Sequence, residues 1–219
     1  MKLTVFNGSP RGKNGNTQQF LNHFAEGFQS IEGNECTIVY LNRVKNQDEF
    51  VKTFQASEAV IIAFPLYCDS MPAMVKTFIE SLSPLCKQSG NPRLGFIVQS
   101  GFPEANQSRS VEKYLQKLAS RMGSDYIGTI VKGGGHGACE APNRFKKPFG
   151  LFLEMGKTFG DTGKFNNESL TKIAQPETLP KLVQFMLKIM YRTPLVNKYW
   201  DDQLKSNGAY SQRFAKPYS

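Results

Sequence analysis

Apolar positions along the chain fall into two alternating patterns, short continuous runs and sparser sets at helical spacing. The runs within 2–7, 36–41, 59–64, 93–99 and 126–132 read as strands. The third, Ala59-Val60-Ile61-Ile62-Ala63-Phe64, is apolar throughout, as a parallel strand covered on both faces should be. Between the runs, Phe20, Leu21, Phe24, Phe28 and Ile31 share one helical face. A second helix starts at Pro72, a favoured first helical residue, and carries Val75, Phe78, Ile79 and Leu82. A third carries Val111, Tyr114, Leu115, Leu118, Ala119 and Met122 and stops at Gly123. The segment 47–55 is a shorter, poorer helix. With right-handed crossovers, this alternation predicts an α/β fold: a doubly wound sheet of five parallel strands in the order 2-1-3-4-5.

Residues 1–140 make up that domain, and 141–219 read as a helical and extended C-terminal extension packed on the same domain or on a partner subunit. Within it, 149–155 has a helical pattern. So does 179–190, where Leu179, Leu182, Val183, Met186, Leu187 and Met190 share a face that Phe185 and Ile189 widen. Lys181, Lys188 and Arg192 fill the remainder, which leaves a basic membrane-surface helix as a minority reading. Residues 193–219 show little helical periodicity but contain Tyr199, Trp200, Tyr210, Phe214 and Tyr218. An aromatic side chain buries roughly 150–250 Å², so this arm is expected to cover something. A homodimer in which it crosses to the partner and helps wall the site is the expected solution.

Composition narrows the class. The 219 residues are 40% apolar and 21% charged, ordinary for a globular chain, and no apolar run approaches the ~20 residues a membrane span needs. The N-terminus runs straight into a strand, so a cytoplasmic location is expected. Cys36, Cys68, Cys86 and Cys139 lack CxxC spacing, which argues against a metal centre and for free thiols. Of the net +9, residues 1–140 contribute +2 (14 Lys/Arg against 12 Asp/Glu) and residues 141–219 contribute +7 (13 against 6). No nucleic-acid-binding motif accompanies that basic bias, so nucleic acid is not an expected partner.

The candidate chemistry begins at Gly8-Ser9-Pro10-Arg11-Gly12-Lys13-Asn14-Gly15-Asn16-Thr17, between the first strand and the first helix. Three glycines that can take positive φ, the short polar side chains of Ser9, Asn14, Asn16 and Thr17, and the charges of Arg11 and Lys13 make a phosphate cradle at a helix N-terminus. The nucleoside-triphosphate loop fails, because only three residues separate Gly8 from Gly12 and Asn14 follows Lys13. GxGxxG fails as well, and no acid closes the second strand. A single phosphate is the better guest.

In a doubly wound sheet the ligand lies beyond the carboxyl ends of the strands. The loop therefore shares one rim with 65–72, 100–104 and 133–137. That rim suits a flat aromatic ligand with a phosphorylated tail, its ring edge meeting backbone amides and its face meeting Tyr67 or Phe102.

Gly8-Ser9-Pro10-Arg11 with Gly15-Asn16-Thr17, followed by Pro65-Leu66-Tyr67, Met71-Pro72-Ala73 and Lys76, resembles the NADPH-dependent FMN reductase family of flavodoxin-like oxidoreductases over roughly residues 1–135. The resemblance implies FMN, with its phosphate at Ser9, Arg11, Asn16 and Thr17, to which the loop's own polar side chains add Asn14 as a cofactor-binding candidate. Its isoalloxazine would lie along Pro65, Leu66, Tyr67 and Cys68 and the loop Ser100, Gly101, Phe102 and Glu104. It also implies NADPH or NADH as donor and a small electron acceptor: a quinone, a nitro or azo compound, or flavin. One branch of the family holds an iron–sulfur cluster in a cysteine-rich insertion between strands two and three. This chain has only Asn42-Arg43-Val44-Lys45-Asn46 and a short helix there, so no cluster is expected.

Turnover would then be ping-pong, with the cofactor carrying the chemistry and no side chain acting as acid or base. Backbone amides of 100–104 or 133–137 are candidates to stabilise charge near the reduced flavin's N1. Plainer roles fit several residues. Cys68 reads as a small packed residue, Glu104 as a helix start or solvated carboxylate, Asp69 and Ser70 as caps for the helix at Pro72, and His136 as part of a glycine-rich loop. A flavodoxin-type electron carrier is the alternative, but such carriers are strongly acidic. A receiver-like domain would need paired acids where this chain has Asn7-Gly8.

Overall fold

The computed structural model describes residues 1–43, 47–193 and 195–216. Val44-Lys45-Asn46, in the segment where the cluster-bearing insertion would fall, lie outside the described residues, as do Pro194 and Pro217–Ser219. The chain divides into two compact units, Met1–Thr178 and Leu179–Ser219.

The first unit is built on five parallel strands, β1 (Lys2–Asn7), β2 (Glu35–Tyr40), β3 (Ala59–Pro65), β4 (Arg93–Gln99) and β5 (Tyr126–Lys132), in the order β2-β1-β3-β4-β5. This is the expected topology. The helices are α1 (Asn16–Gln29), α2 (Gln47–Gln55), α3 (Ala73–Ser81), α4 (Arg109–Met122), α5 (Lys146–Thr162) and α6 (Asn167–Ile173).

Successive side chains of a strand point to opposite faces, and β3 feeds both cores in turn. Val60, Ile62 and Phe64 join a cluster with Phe78 of α3 and Leu115 of α4. Ala59, Ile61 and Ala63 join one with Phe24 of α1 and Phe152 of α5. All seven residues of β3 are buried.

α5 is longer than its sequence pattern suggests, and it lies directly on α1. Phe20 meets Phe149 and Phe152 with ring centroids 5.4 and 4.9 Å apart, and Phe159 meets Phe24 and Phe28 at 6.1 and 5.8 Å. The backbones approach so closely that a methyl at Gly27 would overlap the carbonyl oxygen of Leu153, and one at Gly156 would overlap that of Phe24.

Three local expectations need correction. α1 ends at Gln29, so Ile31 falls outside it. Pro72 is the residue preceding α3 rather than its first, and no side chain caps that helix. Asp69 and Ser70 instead belong to a tight reversal: the Tyr67 N–H donates to the Ser70 carbonyl (2.8 Å) and the Ser70 N–H to the Tyr67 carbonyl (3.0 Å). Cys68 and Asp69 take φ of 47° and 61° at its tip. Glu104 does begin a short 3-10 turn, Ala105–Ser108.

In the second unit, α7 (Lys181–Met190) matches the predicted helix. The stretch from 193, expected to lack helix, contains α8 (Leu195–Ser206) and a 3-10 turn at Tyr210–Gln212. Arg213 lies 3.9 Å from the ring centroid of Tyr210. Tyr199's side chain and Tyr218 lie outside the described residues. Among the described residues no helix is long and apolar enough to cross a membrane.

Candidate functional site

The loop after β1 is braced from beneath by a residue the sequence reading passed over. Asn7, fully buried, accepts the Ser9 N–H on Oδ1 (2.9 Å) and donates from Nδ2 to Gln18 Oε1 (2.9 Å). The loop then coils through the 3-10 turn Gly12–Asn14 into α1, where the Gly15 N–H donates to the Gly12 carbonyl (3.2 Å) and the Gln18 N–H to the Gly15 carbonyl (3.0 Å). Of its three glycines only Gly12 has positive φ, +53°. The others are needed for space: a methyl at Gly15 would sit 2.6 Å from Ser9 Oγ, and one at Gly8 would overlap Val75.

Both loop cations have partners. Arg11 Nη1 lies 3.3 Å from Glu140 Oε1, and Lys13 Nζ lies 5.5 Å from the centre of the Tyr40 ring. Glu140's carboxyl is held below its ordinary range, first by its own backbone amide and then by Arg11.

A cavity of about 390 Å³ opens beside this loop at the carboxyl ends of β1, β3 and β4, a size within the usual range of small-molecule sites. It brings together eight of the anticipated residues: Ser9, Arg11 and Asn16 from the loop, Pro65, Leu66 and Tyr67 after β3, and Ser100 and Gly101 after β4. The remaining five do not line it. Asn14 turns its carbonyl to the Cys139 thiol (3.5 Å). Thr17 is buried, with its hydroxyl 3.4 Å from Gln99 Nε2. Cys68 is exposed at the tip of the Tyr67–Ser70 reversal rather than packed, and neither Phe102 nor Glu104 lines the cavity.

Two residues outside the anticipated set do line it, His136 and Gln99. Gln99 ends β4 and is only 6% exposed, yet its Oε1 has no hydrogen-bond partner. A buried acceptor left open costs about 1–3 kcal/mol, so its presence on a cavity wall marks a place for a ligand donor.

Two of the 133–137 amides are not available for charge stabilisation. Gly134 N–H donates to the Phe102 carbonyl (2.6 Å) and Gly135 N–H to that of Ser100 (2.7 Å), so both are committed to tying the β4 loop to the β5 loop. Burial, and then the Glu140 carboxylate, push the Cys139 thiol above its ordinary range.

The cavity carries a cation, a hydroxyl and an amide at one end, an apolar wall of Pro65 and Leu66, an exposed aromatic at the rim, and an open buried acceptor. These residues fit a flat ring with a phosphorylated tail, the donor set FMN requires.

Comparison with known proteins supports the same fold. An NAD(P)H:quinone oxidoreductase from Methanothermobacter marburgensis is 13% identical and superimposes with a TM-score of 0.56 over 75% of this chain and 99% of its own. An FMN-dependent NADH-azoreductase from Bacillus anthracis, solved with FMN, is 14% identical with a TM-score of 0.53, covering 80% of this chain and 100% of its own. An NADH:FMN oxidoreductase in its apo form gives 13% and 0.58, over 80% and 96%. A search of curated protein sequences gives no match. The sequence profile of the NADPH-dependent FMN reductases matches residues 1–136, the stretch that supplies every strand of the sheet and every residue lining the cavity, and the chain belongs to that family.

Proposed function

We propose that this FMN-dependent NAD(P)H oxidoreductase delivers its electrons to a small acceptor, a quinone, a nitro or azo compound or free flavin, at the same open face where the nicotinamide is oxidised. We place it in the cytoplasm, working as a homodimer. FMN held by the cavity residues would supply the redox chemistry, hydride acceptance from a nicotinamide and electron delivery to the acceptor. The observation that carries the shared face is Tyr67, which lines the cavity and is 49% exposed, so that one aromatic is reachable both from the site and from solvent.

The chain's own part is binding and orientation. Ser9, Arg11 and Asn16 hold the phosphate, with the positive end of α1's dipole beside them. Pro65 and Leu66 form a dry wall for one ring face. Gln99 Oε1 accepts a hydrogen bond from the bound group, and its Nε2 contact to Thr17 fixes the amide's orientation. Ser100 is held rigid: its N–H donates to the Lys132 carbonyl (2.9 Å), its carbonyl accepts from Gly135, and its hydroxyl donates to the Phe102 carbonyl (3.1 Å). Tyr67 and Phe102 are exposed and offer aromatic faces on which a flat substrate can stack.

Mixing the yellow holoprotein anaerobically with NADPH or NADH should bleach the flavin, a quinone should restore its colour, and initial-rate plots with the two substrates should be parallel. Failure of both nicotinamides to bleach it would defeat the proposal. Light scattering of the full chain and of one lacking residues 193–219 tests the dimer, which a monomeric full chain would refute.

A further inference from the structure

The second unit contains a helix whose surface does not suit water. None of α7's ten residues is buried. Leu182 is 70% exposed, Met186 61% and Phe185 60%, and Ile189, Met190 and Val183 are exposed with them. At 100° per residue these side chains, with Leu187 and Tyr191, sweep about two-thirds of the helix circumference. The remaining arc is Lys181, Gln184, Lys188 and Arg192. It carries three cations and no acid, and no Asp or Glu occurs between Thr178 and Trp200. Over residues 179–219 there are seven Lys/Arg against two Asp, a net +5.

A wide apolar arc with a narrow, wholly basic stripe is the pattern of a helix that lies in the plane of a lipid headgroup layer. Charge decides between occupants. A second copy of α7 packed arc to arc would cover the apolar side chains but leave Lys181, Lys188 and Arg192 on the outer sides, with no carboxylate on either helix to pair them. An anionic lipid surface attracts all three and accepts the apolar arc among its acyl chains.

We propose that α7 docks this protein on anionic membrane surfaces, its apolar arc in the acyl boundary and Lys181, Lys188 and Arg192 at the headgroups. The helix is ten residues long, so it lies on the bilayer without spanning it.

Flotation of the flavin-loaded full chain with vesicles tests this. It should float with vesicles of equal parts phosphatidylcholine and phosphatidylglycerol and stay behind with phosphatidylcholine alone. Binding should fade as added salt shortens the screening length from about 10 Å to about 3 Å. The triple variant K181E/K188E/R192E should lose binding by on the order of a hundredfold or more, and F185S/I189S by tenfold or more. Both should keep the flavin spectrum and the rate of flavin reduction, because the altered side chains are exposed. Equal flotation with neutral vesicles, or flotation with neither composition, would overturn the proposal. So would a dimer in light scattering that F185S/I189S splits while no vesicle is bound.

Discussion

The Arg11–Glu140 pair turns the phosphate loop into a measurable competition. Arg11 is a side chain of the cavity wall, yet its guanidinium sits 3.3 Å from Glu140 Oε1, with the two side chains 52% and 56% exposed. A pair this exposed contributes about 0.2–1 kcal/mol, whereas a charge-assisted contact to phosphate contributes about 1.5–3 kcal/mol. The phosphate therefore wins Arg11 but gives up the smaller quantity in doing so. Arg11→Ala should weaken FMN binding roughly ten- to hundredfold, while Glu140→Gln should tighten it by up to about fivefold. In the double variant the benefit of Glu140→Gln should shrink, because no guanidinium remains to be released, and that shrinkage is the coupling. Titrating FMN into each apoprotein, read by quenching of flavin fluorescence, measures all four affinities. If Glu140→Gln instead weakens binding as much as Arg11→Ala does, the carboxylate holds Arg11 in its binding position and the competition argument fails.

Gln99→Leu should cost about tenfold in FMN affinity while leaving the apoprotein's melting temperature unchanged or higher, since it removes an open buried acceptor; a large drop in melting temperature would mean the amide is structural. Gly156→Ala forces a methyl into the Phe24 carbonyl and should destabilise by about 1–3 kcal/mol, lowering the melting temperature by roughly 2–12 °C; calorimetry checks it, and an unchanged melt would mean α1 and α5 can separate freely. Arg109 grips Glu177 with Nε and Nη2 at 2.9 and 2.7 Å, and the guanidinium holds that carboxyl below its ordinary range. A depressed carboxyl contributes stability that is present above its unfolded pKa and lost as pH falls through the folded one, so Glu177→Gln should flatten the acid limb of the stability curve. Denaturant melts from neutral pH into the acid range test this, and identical limbs would refute it.

The sheet was legible because β3 is apolar without interruption and the helices between strands carry clear faces. The rim followed from topology alone, since parallel strands must end together. The polar braces were not legible: Asn7 and Gln99 look like strand-ending polar residues, and Gln99's partner Thr17 is 82 positions away. The Tyr67–Ser70 reversal hid because Cys68-Asp69 lacks the Asn-Gly signature of a tight two-residue turn. α5 was obscured by its own Gly150, Gly156 and Gly160, which weaken helix propensity. At Gly156 that weakness is what admits α1's backbone.

That crossing separates ancestry from mechanics. The family resemblance stops at residue 136, but the phenylalanine face of α1 is covered by α5, which begins ten residues later. A chain cut where the resemblance ends would turn Phe20, Phe24 and Phe28 out to water. At about 1.5–3 kcal/mol each, their exposure would consume much of the 5–15 kcal/mol by which a domain ordinarily stays folded. Exchanging cofactor loops between such reductases would therefore mean carrying α5 along with α1, as a lintel travels with its post.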